Sequence, residues 1–236
     1  MEKKTYKTEP HLHCAETSGC SHVGGAEFVR RYKDAGYSTI FVSDHYRRKR
    51  FEECETEEQY REAINQQLAG YYAAKEEGDR IGVTVLMSCE LHINKNDYLF
   101  YGIDESFFYH KEIGSMTPEE LFDFCNEHGY TLIAAHPFRG DREPVPHAVH
   151  GLEIVNASHN HYYQNNNDKA LALAETLPGH YRTSGSDAHY VADIARGGII
   201  TDKKIESAAD YVEALRSGNY EIICFPPEVT PPGVVL

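Results

Sequence analysis

The sequence contains no tryptophan, only three methionines, and just 23 lysines and arginines against 37 aspartates and glutamates, for a net charge of −14. That shortage of positive charge argues against a surface built for nucleic acid or anionic membrane, because phosphate backbones are bound by clustered Lys and Arg. A nucleotide or short oligonucleotide end in a local basic pocket is the only nucleic acid left open. Long apolar runs are missing too. Nothing approaches the ~20 residues of a membrane span, and the opening MEKKTYKTEP has no apolar core of signal-peptide type, so a cytoplasmic location is expected. The six cysteines (Cys14, Cys20, Cys54, Cys89, Cys125, Cys224) show no CxxC spacing and sit largely in or beside apolar runs, which fits reduced thiols better than a disulfide framework. Internal repeats, low-complexity segments and interdomain linkers are absent as well. At 236 residues and 41% hydrophobic, the chain can bury a full core, and it is read as one domain over 1–225 with a Pro-rich tail over 226–236.

Histidine is abundant, with fourteen copies. The pair that organises the rest is His11-Leu12-His13, just past a short strand-like segment. Residues two apart on a strand point the same way, so both imidazoles can grip one ion. Four further motifs follow in order, each at the end of an apolar run: Ser-Asp44-His45, Cys-Glu90, Ala-His136-Pro137 and Ser-Asp187-Ala-His189.

Between them strand and helix signals alternate. Strands are predicted over 38–43, 83–88, 98–103, 131–135, 152–155, 181–186, 198–201 and 221–225, and helices over 26–34, 117–129, 168–177 and 208–216. A long helix is predicted from a Thr56/Gln59 capping box to a stop at Gly78, with Tyr60, Ile64, Leu68 and Tyr71 forming its core stripe. Such alternation implies an α/β fold with a parallel sheet, most simply closed as a barrel with its chemistry at the C-terminal strand ends. All the candidate ligands then converge on one mouth.

These motifs in this order, HLH, SDH, Glu after the third strand, AHP with a nearby Arg, and SDAH, resemble the PHP (polymerase and histidinol phosphatase) family over about residues 11–220. The resemblance implies a single-domain, distorted TIM-like barrel, (β/α)7, holding two or three divalent ions (zinc, manganese or iron) and hydrolysing a small phosphate ester. Carried over by position, His11, His13, Glu90 and Asp187 match the first metal's ligands, His45 and His189 the second's, and Glu90 bridges to a third that His136 also binds. Two positions depart from the pattern. In the loop after HLH, Glu16 is taken as ligand, with Cys20 and His22 as substitutes, and Asp97 stands where relatives often carry His. Catalytic roles fall to Glu90, Asp187 and His189.

Closely spaced divalent ions acidify a bridging water and clamp phosphoryl oxygens, so no Ser or Cys nucleophile is required. A guanidinium suits the transferring phosphoryl group because its fork of donors binds two oxygens. Arg139, three residues past His136, leads for that role, with Arg196 behind it, and His159 is a further candidate for substrate contact. Set against this, Arg139 is also placed to pair with Asp141 or Glu143 on the surface. Two rival functions stand beside the phosphoesterase: a metal-dependent amidohydrolase, whose binuclear forms usually use a carbamylated lysine where Glu90 stands here, and a non-catalytic metal-stabilised module, which predicts decay of a ligand set that survives nearly whole.

Overall fold

Apolar residues alternate along most strands, and the two faces they define build a barrel with helices outside. The computed structural model describes residues 4–235; residues 1–3 and 236, at the outer ends of the expected domain and tail, lie outside the described residues. Within them nine strands form one sheet: β1 (Tyr6–Leu12), β2 (Tyr37–Val42), β3 (Thr84–Ile93), β4 (Asn96–Tyr101), β5 (Thr131–Ala135), β6 (Gly151–Asn156), β7 (Tyr181–Gly185), β8 (Gly197–Thr201) and β9 (Tyr220–Cys224). Their order is β7-β6-β5-β4-β3-β2-β1-β8-β9. The helices are α1 (Gly25–Asp34), α2 (Arg48–Glu52), α3 (Glu57–Gln67), α4 (Ala69–Ile81), α5 (Pro118–His128), α6 (Asn167–Glu175) and α7 (Ala208–Ser217). No described helix is long and apolar enough to cross a membrane.

The sheet is mixed, which corrects the expectation of parallel strands throughout. β4 runs against β3 and β5, and β8 against β1 and β9. The cause is local for β4: Asn94 and Lys95 both adopt positive φ (48° and 70°), the conformation of a two-residue hairpin, so β3 returns directly as β4 with no helix between. The sheet nearly closes on itself. At the rim, past the end of β7, Ala188 bridges Leu12 of β1, with His13 N donating to Ala188 O. Lower down, β1 pairs through Tyr6–Thr8 with β8 instead, and Ser184 of β7 reaches across the seam to Ile223 O and Gly198 N.

The alternation sorts the core. Outward residues such as Ile40, Val42, Cys89, Leu91, Leu132, Ala134, Leu152 and Ile154 pack in two clusters that include residues of the surrounding helices. Inward residues Phe41, Leu99, Tyr101, Ile133 and Ile199, together with Tyr211 and Leu215 of α7, form an apolar floor inside the barrel. Glu9, His11, Glu90 and Glu153 point to that same interior, above the floor.

The capping boxes at Thr56/Gln59 and Thr117/Glu120 are both present, and Gly129 ends α5 in the left-handed conformation. The single long helix expected from Thr56 to Gly78 is two helices, α3 and α4, broken at Leu68 and ended by Gly82. The amide of Gly70, in the first turn of α4, donates to Thr17 Oγ1, which satisfies an orphan of the new helix start. Gly78 sits inside α4 because a Cβ there would stand 2.6 Å from Val85 Cγ2. The segment after β9 is fastened to the barrel by Arg196, whose guanidinium donates to the carbonyls of Pro226 and Val229 at 2.8 and 2.9 Å.

Helices α1 and α4 cross where a Cβ on Gly25 would lie 2.4 Å from Gly70 O. Gly25→Ala is therefore expected to lower stability by about 1–3 kcal/mol, the usual cost of overpacking, while metal uptake persists. Thermal melts and elemental analysis of the variant check both halves; an unchanged melting temperature would contradict the tight crossing.

Candidate metal centre

Five strands or strand ends deliver side chains to one mouth. His11 and His13 come from the end of β1, His45 from just past β2, Glu90 from β3, His136 from just past β5, and Asp187 and His189 from the segment after β7. His45 and Glu90 are themselves joined by a bridge that prolongs the sheet. Their ligand atoms form three overlapping groups: His11–His13–Asp187, His11–Glu90–His136 and His13–His45–His189.

Glu90 lies at the centre, 2% exposed. Its Oε1 is 3.0 Å from His136 Nε2 and 3.5 Å from His11 Nε2, and its Oε2 is 2.9 Å from His45 Nδ1 and 3.4 Å from His13 Nε2. Asp187 Oδ1 is 3.2 Å from His13 Nε2 and 3.4 Å from His11 Nε2, and those two imidazole nitrogens face each other at 3.1 Å. Ligands about 2.1 Å from a tetrahedral ion stand about 3.4 Å from one another, so the spacings suit shared ions.

The supporting contacts set which nitrogen is free. His11 Nδ1 is 2.9 Å from Glu153 Oε1, and His189 Nδ1 is 2.9 Å from the carbonyl of Asp187. Carboxylate and carbonyl oxygens only accept, so each Nδ1 carries the proton and each Nε2 presents its lone pair, as in carboxylate–histidine–metal arrangements. Glu153 Oε2 also accepts from His136 N (2.8 Å) and Asn156 Nδ2 (2.9 Å). Glu9, beneath it, accepts from the amides of His11 and Ser186 and from the hydroxyl of Tyr32. Burial raises Glu9 to about 7 against these hydrogen bonds. The buried Nδ1 atoms of His13 and His136 have no hydrogen-bond partner among the described residues.

The electrostatics are those of a cation site. Burial works against the charge on Glu90, yet His11, His136 and His45 hold its carboxyl well below the usual range. Burial likewise opposes Asp187, and Arg139 and His11 prevail over it. His11 is pushed well above the ordinary imidazole value despite its burial, because Glu153, Asp187 and Glu90 surround it; its proton stands where a cation fits. His13 goes the other way, held neutral by burial and by His45 and His189.

Several expected residues sit elsewhere. Glu16 does not reach the mouth: both its oxygens accept from Gly25 N at the start of α1 (3.1 and 3.0 Å), leaving it outside the ligand groups. Cys20 from the same loop is exposed and likewise outside the ligand groups, with its thiol lowered to about 6 by His189 and His45 against partial burial, while His22 stacks on Tyr190. Asp97 is one layer out. Its carboxylate is bound by His92 Nδ1 (2.6 Å) and Arg142 Nη2 (2.7 Å) and stands 3.7 Å from His136 Nδ1, behind the imidazole rather than among the ligands. Arg196 is buried, with its guanidinium spent on main-chain carbonyls away from the cleft. Arg139 pairs not with Asp141 or Glu143 but with Asp187 Oδ2 (2.5 Å), and it is further held by Asn165 and Asn156. The mouth opens into a cleft of about 690 Å³ lined by Cys20, Arg47, Arg139, Arg142 and His161; His159 does not line it, its amide being tied to Asp193. A larger cleft of about 900 Å³ at the opposite end of the barrel, beside Lys203, Lys204 and Asn219, contains none of the ligand groups.

Residues 164–220 match the family model described as PHP-associated. The PHP resemblance is borne out. The barrel is similar to that of a two-domain protein from Bacteroides vulgatus containing a predicted PHP-like metal-dependent phosphoesterase (TM-score 0.60, 15% identity, 94% of this chain), of whose length the chain spans 65%. It is also similar to a protein from Bifidobacterium adolescentis assigned as a metal-dependent phosphoesterase (TM-score 0.51, 12% identity, 78% of this chain and 87% of that one). An amidohydrolase from Chromobacterium violaceum, with bound sulfate and no metal, shares the fold as well (TM-score 0.51, 15% identity, 77% and 87%). No curated protein matches the chain. At these identities the PHP likeness is one of fold.

Glu153, which belongs to none of the sequence motifs, gives the test of this geometry. Glu153→Gln keeps the shape but removes the anion that fixes His11, and it is expected to weaken metal binding about 10–100-fold. Competition of the folded variant against a chromophoric chelator measures this; wild-type affinity would show that His11 does not depend on Glu153.

Proposed function

We propose that the chain is a metal-dependent phosphoesterase acting on a small phosphate ester. The observation that carries this reading is Glu90, a buried carboxylate within 3.5 Å of four imidazoles, beside Asp187 and under a cleft that presents arginine. His11, His13, Glu90, His136, Asp187, His45 and His189 are the proposed ligands of two to three divalent ions. Bound there, such ions supply an acidified water and a clamp on phosphoryl oxygens.

The protein's own residues do the rest. Glu153 and the Asp187 carbonyl orient His11 and His189, and Asp97 stands behind His136. Arg139 steadies Asp187 through Nη2, and its Nη1 makes no hydrogen bond among the described residues, which leaves a donor for a substrate phosphate at the cleft. A domain over 1–225 suffices for this chemistry, with 226–235 held against it by Arg196.

The amidohydrolase reading is favoured by one fold neighbour. Against it, no lysine among the described residues lines the cleft to carry a carbamate, and Glu90 occupies the central position. Assay of the metal-replete protein on phosphate mono- and diesters alongside cyclic amides decides between them. Hydrolysis of an amide with no phosphoester cleavage would overturn the proposal.

Glu90→Gln is expected to remain folded, lose at least one ion by elemental analysis, and lose hydrolysis of p-nitrophenyl phosphate by roughly a hundredfold or more. Full metal content with surviving activity would place the centre on other residues. For Arg139→Ala, kcat/KM should fall at least about tenfold, with some loss of metal because Asp187 loses its partner. Arg139→Lys should recover the metal more fully than the kinetics, since it returns the charge without the fork; unaltered kinetics in the alanine variant would remove Arg139 from substrate binding.

A further inference from the structure

The guanidinium of Arg139 is largely committed before any substrate arrives. Its Nε donates to Asn165 Oδ1 (2.6 Å), and its Nη2 donates to Asn156 Oδ1 (3.1 Å) and to Asp187 Oδ2 (2.5 Å). Nε and Nη2 together form the side-on fork of a guanidinium, so that fork is fully occupied and Nη1 alone is uncommitted among the described residues. The two-oxygen clamp expected from the sequence is thereby reduced to one nitrogen, whose direction is fixed by what holds the other two.

Three consecutive residues ahead of α6 grip the loop that carries Arg139. Gln164 O accepts from Gly140 N (3.1 Å), Asn165 Oδ1 takes Arg139 Nε, and Asn166 Nδ2 donates to Phe138 O (2.8 Å). Asn166 holds a positive φ of 48°, a conformation asparagine tolerates better than most side chains. Asn165 is wholly buried, and its Nδ2 donates to the carbonyl and to Oδ1 of Asn156 at 3.0 and 2.8 Å. Asn156 is oriented in turn, because its Nδ2 donates to Glu153 Oε2 (2.9 Å), which can only accept. Asn156 therefore touches the support of His11 as well as Arg139, whereas Asn165 contacts neither a proposed metal ligand nor Glu153.

We propose that Asn165 is a positioning residue for substrate binding: it holds Arg139 so that Nη1 alone meets the phosphate in the cleft. The inference rests on the phosphoesterase reading above and adds to it the residue that aims the arginine. Removing the Asn165 oxygen leaves Arg139 Nε without its partner and frees the side chain to turn about its bond to Asp187, so the contact with phosphate weakens while the metal ligands keep their places.

Calorimetric titration of the metal-replete full chain with inorganic phosphate, alongside kinetics on p-nitrophenyl phosphate, tests it. Asn165→Ala is expected to weaken phosphate binding and raise KM about fivefold each, with kcat falling less and metal content by elemental analysis staying at the wild-type level. Asn165→Ser keeps the buried position polar, but its hydroxyl falls short of Arg139 Nε. It is expected to behave in the same way, and it carries the test if the alanine variant does not fold. Because Asn165 acts through Arg139, the two changes should not add: Asn165→Ala in an Arg139→Ala background should cost less than about twofold. The full loss in that background would overturn the role of Asn165 and leave the phosphoesterase reading standing. So would wild-type phosphate affinity and KM in the Asn165 variants while Arg139→Ala is impaired. A wild-type protein that neither binds phosphate nor cleaves the ester would overturn both.

Discussion

Glu90 brings a negative charge into the mouth of the barrel, 2% exposed, in a place where an isolated carboxylate would cost many kilocalories per mole. Only cationic or hydrogen-bonding neighbours make that tolerable, and here they are four imidazoles arriving from three other strands or strand ends. The barrel's closure at the rim, where Leu12 meets Ala188 and His45 meets Glu90, is what brings those ends within 3.5 Å of one carboxylate. Fold and site thus share one electrostatic requirement. An ion that replaces the His11 proton satisfies it better than a proton does, because it serves several carboxylates at once.

The scaffold below is built to hold that arrangement rigid. Glu153 ties the ring of His11 to the backbone of His136, and Glu9 ties the backbone of His11 to Ser186, next to Asp187. His136 and Asp187 both adopt positive φ (29° and 46°), conformations that cost a non-glycine residue on the order of 1–3 kcal/mol. Both turns are braced where the strain lies: His136 N by Glu153, Asp187 by Arg139 and the paired histidines. Gly185 has no room for a side chain, since a Cβ there would meet His11 Cβ at 2.5 Å and Glu153 Oε1 at 2.7 Å. The same close packing therefore positions both the ligand and the group that orients it.

Which features were legible beforehand follows from their physics. His11 and His13 stand out as an HxH pair, and His45, Glu90, His136, Asp187 and His189 fall in motifs at strand ends, so periodicity and residue type locate them without any knowledge of neighbours. Glu153 was visible only as one acid inside the apolar strand Gly151–Asn156, and its meaning depends on His11, 142 positions away. The loop after β1 offered Glu16 first, with Cys20 and His22 as substitutes. Ser18 and Ser21 tie that loop to the His45 and His189 segments, and the Glu16 carboxylate is spent on the start of α1. Asp97 was misplaced because the reversed β4 presents it beside His92 and behind His136. Arg196 looked like a phosphate binder in sequence, yet the chain after β9 folds back to take its donors.

By itself the sequence determined an α/β barrel with histidines and carboxylates gathered at one mouth, because strand ends, helix caps and apolar alternation are properties of neighbours along the chain. The direction of β4 and β8, the oxygen or nitrogen each ligand has free, the pairing of Arg139 with Asp187 and the capture of Glu16 by the start of α1 were decided only in three dimensions. Each of these depends on which distant groups compete for the same hydrogen bond or the same buried charge, and separation along the chain carries no record of that competition.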